Sequence, residues 1–330
     1  MVHDPVLAWE NGTYYMYSTG KGVQVMTSKD LQTWTVYRRP ALMPINGQDM
    51  QQRRMLPIWT QDSVPGFRGH VWAPDIIRYR DRWWMAYSCS TFGRNTSAIG
   101  LASSPTLDFT DSLHYHWTDH GCLVASRERR DPWNAIDPAF IVDDEGLPWL
   151  TWGSFWDGIQ MVRLDSTMHI PAGAQPKTIA RRVALRDTLR AEPNPTSKYA
   201  GRNAIEAPFL FRHGDFYYLF VSHDYCCKGM KSNYKVVVGR SRTVAGPYLD
   251  PQGRDMAEGG GLLVIEGDKK EYEAAGHCAV YHLPGGQDLF ICHGYSIAHG
   301  GQAVLIQRTI HWTDDGWPQL VMPYLVPSEG

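Results

Sequence analysis

The sequence predicts an all-β chain folded as a five-bladed β-propeller, and three observations carry that prediction. One apolar strand opening recurs five times, aligned on Pro5, Pro74, Pro138, Pro208 and Cys278, at steps of 69, 64, 70 and 70 residues. Each opening is followed by an aromatic-rich run and then by a third apolar run at a regular distance. Helical periodicity is scarce, and the stretch from Arg181 to Arg190 is the best candidate for a turn or two. Self-similarity of this kind marks a solenoid or a propeller. Four short strands per unit, repeated and closed into a ring, make a propeller that leaves few edges exposed. A β-sandwich of similar strand count gives no reason for the same position to recur in every unit.

The units can be justified in order. The first opens at His3-Asp4-Pro5-Val6, turns at Glu10-Asn11-Gly12, and continues through Tyr14–Ser18 and Val25–Ser28. The second opens at Trp72-Ala73-Pro74-Asp75, with Trp83–Tyr87 and Ile99–Ala102 behind it. The third runs from Ile136-Asp137-Pro138-Ala139 through the Asp144-Glu145-Gly146 turn to Trp149–Trp152 and Met161–Leu164. The fourth opens at Glu206-Ala207-Pro208-Phe209, followed by Phe216–Phe220 and Val236–Gly239. The fifth opens at Gly276-His277-Cys278-Ala279, followed by Leu289–Cys292 and Val304–Gln307. β-Branched and aromatic runs bounded by Gly, Asn, Asp and Pro are strand and turn signals. No Pro-, Gly- or Ser-rich linker interrupts the repeat, so residues 1–330 read as one domain. The chain starts on an inner strand and ends on an outer one, near Trp312 to Val326. The ring should therefore close by packing, with no strand exchanged between the termini.

Bulk properties narrow the partners. Lys and Arg number 32 against 34 Asp and Glu, a formal net charge of −2, which gives no support for a nucleic-acid or anionic-membrane partner. No run of eighteen apolar residues occurs, so no membrane-spanning helix is expected. A monomer is expected. Thirteen Trp suit stacking on sugar faces as well as packing between blades. The six cysteines show no zinc spacing. Adjacent Cys226 and Cys227 seldom bridge, so buried thiols are expected over a disulfide framework. The N-terminus carries no signal peptide. A secreted or periplasmic protein with its leader removed is slightly favoured over a cytoplasmic one.

In a propeller the first strand of each unit lines the axis. The five openings then converge, and Asp4, the Trp72 region, Asp137, Glu206 and His277 share one cavity. Acids are rarely buried unless paired or used. Asp before Pro is also a turn former, but Glu206 before Ala-Pro has no such role. Three carboxylates among aromatics suit glycoside hydrolysis, with one acid protonating the leaving oxygen and one carboxylate activating water. The third can raise the acid's pKa by repulsion.

Seven ordered blocks carry a resemblance: Val2-His3-Asp4-Pro5, Trp72-Ala73-Pro74-Asp75-Ile76, Ser90–Gly100, Asn134–Pro138, Gly153-Ser154-Phe155-Trp156, Ile205–Phe209 and Gly239-Arg240-Ser241. Together they resemble glycoside hydrolase family 43, and within it the arabinanases, from residue 2 to Gly316-Trp317-Pro318. The resemblance implies hydrolysis with inversion, with Asp4 as general base, Glu206 as general acid and Asp137 as the acid that modulates and orients Glu206. It implies that His3, Trp72, Phe92 and Ser154 contact substrate and that Arg240 pairs with the catalytic acids. His277 matches a residue that binds a cation, often calcium, otherwise mostly hydrated; the neighbouring Ala274-Ala275-Gly276-His277-Cys278 departs from the family's usual Gly-Pro-Gly-His-Asn. His293-Gly294-Tyr295-Ser296 likewise departs from a His-Tyr-Tyr-Asp-like string. The implied substrate is α-1,5-linked arabinan, with endo action favoured. The insertion from Leu42 to Arg68 could wall off one end of the groove, which keeps exo release or arabinofuranosidase activity as a rival. A β-xylosidase, a fructosyl-acting propeller and a non-catalytic sugar-binding propeller are the more distant alternatives.

Overall fold

The computed structural model describes residues 1–42, 57–184 and 203–321. Five antiparallel sheets follow one another along the chain. The first holds β1 (Val6–Glu10), β2 (Thr13–Ser18), β4 (Gln24–Ser28) and β5 (Thr35–Tyr37); the two-residue β3 (Gly20–Lys21) crosses to the second sheet. There it pairs with β6 (His70–Tyr79), ahead of β7 (Arg82–Cys89), β8 (Ser97–Ser104) and β9 (Thr118–Ser126). The third sheet is β10 (Ala139–Val142), β11 (Pro148–Trp152), β12 (Ile159–Arg163) and β13 (Lys177–Ala180). The fourth is β14 (Ile205–His213), β15 (Phe216–His223), β16 (Lys235–Ser241) and β17 (Leu262–Glu266). The fifth is β18 (Tyr272–His282), β19 (Asp288–Ser296), β20 (Gln302–Trp312) and β21 (Pro318–Val321). This is the expected five-bladed propeller. The only α-helix among the described residues is the single turn Thr60–Ser63. Residues 181–184 are not helical, and 185–190 lie outside the described residues, as do 43–56 of the insertion.

Blade pairing follows the repeat in the sequence, the aromatic second runs forming the middle strands β2, β7, β11, β15 and β19. Their side chains pack between blades, with Tyr17, Tyr87, Trp152, Phe220 and Phe290 all fully buried. The ring closes without strand exchange. β1 is the innermost strand of its sheet, and β21 is the outermost of the last. Across the seam, the Leu7 amide donates to the Tyr281 hydroxyl (2.8 Å), Gln307 Nε2 to the Leu31 carbonyl (2.8 Å) and the Val2 amide to the Ala303 carbonyl (3.3 Å).

The recurring opening has a backbone cause. The residue before the aligned Pro or Cys is left-handed in every blade: Asp4 (φ 57°), Ala73 (40°), Asp137 (57°), Ala207 (56°) and His277 (56°). In β6, β14 and β18 the pairing register shifts across this point, between Trp72 and Asp75, Glu206 and Phe209, and Gly276 and Ala279. Such bulges interrupt the ladder and re-aim side chains. Pro is tolerated there because it has no N–H to donate and the interrupted ladder asks for none.

Each left-handed residue keeps its own N–H, and each finds a side chain of the preceding blade. Ala73 donates to Thr19 Oγ1 (2.9 Å), Asp137 to Ser88 Oγ (3.1 Å) and His277 to Ser222 Oγ (2.8 Å). Ala207 donates to Asp137 Oδ2 (3.2 Å) and Asp4 to His293 Nδ1 (3.0 Å). The five bonds complete a ring around the axis. Truncating a buried acceptor leaves its donor unpaired, at a cost of about 1–3 kcal/mol. Ser88→Ala and Ser222→Ala should therefore each destabilise the fold by about 1–2 kcal/mol in urea unfolding, and unchanged midpoints would show that these amides are satisfied some other way.

Candidate active site

A cavity of about 760 Å³ opens at one mouth of the axis. Its floor is made by the bulged residues and their neighbours: Asp4, Asp137, Glu206 and His277 all line it, each less than a tenth exposed. The left-handed turn at the start of each inner strand places them there, so the convergence expected from the repeat is what the structure shows. His3, Trp72, Phe92 and Ser154 line the same cavity. Phe92 stands 78 % exposed on the rim, free to meet a ligand face.

The two outer carboxylates sit in opposite environments. Asp4 accepts from Thr19 Oγ1 (2.5 Å), contacts His3 Nδ1 through Oδ2 (2.9 Å) and His277 Nδ1 through Oδ1 (2.9 Å). Burial raises its pKa, but the charges and hydrogen bonds of His3 and His277 outweigh that and hold it well below the usual carboxylate range. His277 answers: burial lowers its pKa, yet Asp4, Asp137 and Glu206 together raise it to about 9. Glu206 accepts from Ser154 Oγ (2.6 Å) and Tyr234 Oη (2.7 Å). Burial raises its pKa, and the Asp4 charge adds to that against the two hydrogen bonds and His277. Asp137 is raised further, first by burial and then by Glu206 and Asp4. Two buried acids that repel each other hold a proton between them above the ordinary carboxylate range. The cavity thus sets a carboxylate biased toward its ionised form on one side against an acid pair biased toward keeping a shared proton on the other.

Two sequence-based expectations fail. Arg240 does not reach the acids. On β16 it pairs in register with Tyr218, and its guanidinium lies over the Phe216 ring (4.1 Å to the centroid) and the Trp317 ring (4.3 Å) while Nη1 donates to the Asp315 carbonyl (2.7 Å). His277 is the basic group beside the acids. The cysteine expectation also fails in part: Cys226 and Cys227 are joined, at a turn where Cys227 is left-handed (φ 65°), and Cys122 is exposed, whereas Cys89, Cys278 and Cys292 are buried thiols. Ser154, expected to contact substrate, spends its hydroxyl on Glu206.

Sequence reasoning missed Thr19, Tyr234, His293 and Tyr295. One signal was present, since Thr19, Ser88 and Ser222 each fall fourteen residues after the aligned Pro. The third blade has Trp152-Gly153 there, and the Asp137 carboxylate takes over. The fourteenth position is the fully buried Trp152, and the next residue, Gly153 (φ 143°), has no room for a side chain, since a Cβ on it would meet the Gly158 carbonyl at 2.3 Å. Nothing in the sequence ties Tyr234 to Glu206.

A propeller with an ionised carboxylate and a proton-holding acid pair facing one sugar-sized cavity is the framework of a glycoside hydrolase. The family model of glycosyl hydrolases family 43 matches residues 1–318, and the chain belongs to that family. It is 41 % identical over 322 residues to an extracellular exo-α-(1→5)-L-arabinofuranosidase of Cellvibrio japonicus, covering 97 % of this chain and 86 % of that protein. An extracellular endo-α-(1→5)-L-arabinanase of Bacillus subtilis is 35 % identical over 327 residues, covering 96 % and 87 %. Among solved structures, an exo-1,5-α-L-arabinanase from a bovine ruminal metagenomic library superposes with a TM-score of 0.85 at 48 % identity, covering 97 % and 96 %. The Cellvibrio cellulosa α-L-arabinanase in complex with arabinohexaose does so at 0.87 and 40 % identity, covering 97 % and 95 %.

Opposite pH shifts should separate the two neighbours of Glu206. Tyr234 stabilises the ionised form by donating to it, so Tyr234→Phe should raise the acid's pKa and move the basic limb of the pH–rate profile upward. Asp137→Asn removes a repelling charge, eases ionisation and should move the limb downward. Shifts in the same direction for both variants would contradict this assignment.

Proposed function

We propose that the chain hydrolyses α-1,5-linked L-arabinofuranosyl bonds of arabinan with inversion. The observation that carries this reading is the contrast in surroundings between Asp4, held by His3, His277 and Thr19, and Glu206, held by the Ser154 and Tyr234 hydroxyls, since catalytic roles follow environments that push two pKa values apart. Asp4, ionised, takes a proton from a water molecule as that water attacks the anomeric carbon. Glu206, protonated, gives its proton to the departing oxygen, so the proton balance closes in one displacement. Asp137 keeps that proton on the pair at working pH. Trp72 and Phe92 offer faces for sugar rings.

We further propose exo action. The resemblance carried by the sequence motifs favours endo cleavage, but relatives at 41 % and 48 % identity are named as exo enzymes. The cavity is also walled by segments of four blades, among them Met1, His70, Phe155 and Lys228. Endo cleavage is the second reading, supported by the Bacillus subtilis relative. Relatives named extracellular support secretion.

A cation such as calcium would be held here by His277. Its Nδ1 is bonded to Asp4, which leaves Nε2 to ligate, and buried Asp75, whose Oδ1 lacks a partner, lies within reach of its charge. The alternative cluster of His3, Asp4 and His293 has its nitrogens engaged in hydrogen bonds. One imidazole suits a mostly hydrated ion, given calcium's preference for oxygen. Such an ion would supply positive charge that keeps Asp4 ionised.

Three measurements test the reading. Linear α-1,5-arabinan should release arabinose from the first minutes, its anomeric configuration inverted by NMR; early oligosaccharides of mixed length would establish endo action, and no release would overturn the substrate. Glu206→Ala should cost roughly 10²–10⁴-fold in kcat. Chelation should lower activity and calcium restore it, whereas full activity after exhaustive chelation would leave His277 acting as an imidazolium alone.

A further inference from the structure

The segment between β15 and β16, residues 224–234, touches both sides of the chemistry. At its end Tyr234 donates to Glu206 (2.7 Å). In its middle, the Cys227 amide donates to the Tyr295 hydroxyl (2.7 Å), and both Cys226 and Cys227 line the cavity. The segment is pinned at its base by Asp224, which pairs with Arg182 (2.9 Å) and Lys235 (3.2 Å), and by the Tyr225 amide donating to Asn233 Oδ1 (2.8 Å).

Proton positions around Tyr295 follow from counting donors. His293 Nδ1 accepts the Asp4 amide, so its proton is on Nε2, which lies 3.2 Å from the Tyr295 oxygen and donates to it. The Cys227 amide fills the second lone pair of the same oxygen. The Tyr295 O–H then meets His3 Nε2 at 3.0 Å, with the Ser232 hydroxyl, which accepts the Lys228 amide (3.1 Å), as a further side-chain neighbour of the Tyr295 oxygen. With Nε2 accepting, His3 carries its proton on Nδ1 and points it at Asp4 Oδ2 (2.9 Å). His3 is held flat against His293, with ring centroids 3.8 Å apart, so the ring has little freedom to turn.

We propose that the Cys226–Cys227 disulfide is a positioning element for Asp4: by fixing the left-handed turn at Cys227 it aims that residue's amide at Tyr295 and so sets the tautomer of His3 that holds the carboxylate. Closing an eight-membered ring across two adjacent residues constrains the backbone of Cys227 itself, which is why the effect reaches the amide. Cys227 Sγ also lies 3.8 Å from His3 Nε2, so the same bridge walls the cavity over the relay. A disulfide of this kind persists in an oxidising compartment, in keeping with secretion. The inference rests on the reading of Asp4 as the general base of an arabinan hydrolase.

The experiment compares oxidised and dithiothreitol-treated full chain. One dithiothreitol thiolate attacks a sulfur of the bridge and the second displaces the mixed disulfide. Two protein thiols form, each taking a proton, and the reagent is oxidised to its cyclic disulfide. Alkylation of the unreduced, unfolded chain should label four cysteines; six would overturn the proposal outright. Reduction should then lower kcat on arabinan about fivefold, the order expected for one lost hydrogen bond, and reoxidation with oxidised glutathione should restore it. Cys226→Ser should reproduce the reduced state without reductant. Tyr295→Phe cuts the relay downstream, so reduction of that variant should add no further loss, whereas a merely structural role would make the two losses add. The ¹⁵N shifts of the His3 ring give a readout that needs no substrate. A single Nδ1–H tautomer should be lost on reduction, and an unchanged tautomer would overturn the inference. If arabinan is not cleaved in either state, the functional reading fails, while the ring shifts still decide whether the bridge sets His3.

Discussion

Five backbone amides at the crowded axis of this propeller each require an acceptor, and none can find one within its own sheet. In three blades a bulge interrupts the ladder at that residue, and in the first and third the residue lies just ahead of the inner strand, so the amide is satisfied from the neighbouring blade. Left-handed backbone at non-glycine residues costs of order 1 kcal/mol or more and persists only where the surroundings impose it. Here the imposition is mutual, because each blade supplies the acceptor that holds the bulge of the next. The ring therefore couples blade order, closure and site geometry in one set of contacts. Asp137 sits in the ring twice, its amide donating to Ser88 and its carboxylate accepting from Ala207. Its neighbour Glu206 is thereby fixed in direction by the same bond that joins the third and fourth blades.

The contrast between Asp4 and Glu206 follows from what each bulge brings near it. Both are buried, and burial alone would neutralise both. Asp4 sits at the seam, where the fifth blade contributes His277 and the first contributes His3 and Thr19, so donors crowd its carboxylate from three directions. Glu206 has hydroxyl donors only, from Ser154 and Tyr234, and shares its surroundings with a second acid. Imidazole donors outweigh burial on one side, and hydroxyl donors alone do not on the other. The proposed single-displacement hydrolysis needs that asymmetry, and the contacts at the seam favour it.

The blade repeat, the converging acids and the axial His277 were all legible because a bulge at a fixed place in each unit leaves a readable trace, a Pro that tolerates the missing ladder bond. Thr19, Ser88 and Ser222 left a trace of the same kind at a fixed distance, fainter because Ser and Thr are common in strands. Arg240 shows where spacing runs out. A residue on a third strand can face either neighbouring blade at either end, and the register opposite Tyr218 carries this one away from the cavity to a stack with Phe216 and Trp317. Tyr234 and the Cys226–Cys227 bridge were illegible for a related reason. They belong to a connection whose path is set by contacts with Asp224, Tyr295 and Glu206 and by no periodic pattern of its own.

The division between ring and walls also explains how relatives with such similar folds are named for both exo and endo action. The acids and the five amides belong to the inner strands and the residues just ahead of them, where a change in one blade disturbs the next. The rim is different. Phe92, Phe155 and Tyr225 stand on segments that leave the strands, and the contact between the last two (ring centroids 5.5 Å apart) bridges the third and fourth blades above the floor without touching the amide ring. Lengthening or shortening the Phe92 segment alters how far a chain can extend past the cleavage point while leaving Asp4 and Glu206 where they are, whereas the Phe155 and Tyr225 segments are tied to Glu206 through Ser154 and Tyr234. Reaction type is therefore set by the part of the molecule that resists change, and the mode of attack on a polymer by the part that permits it.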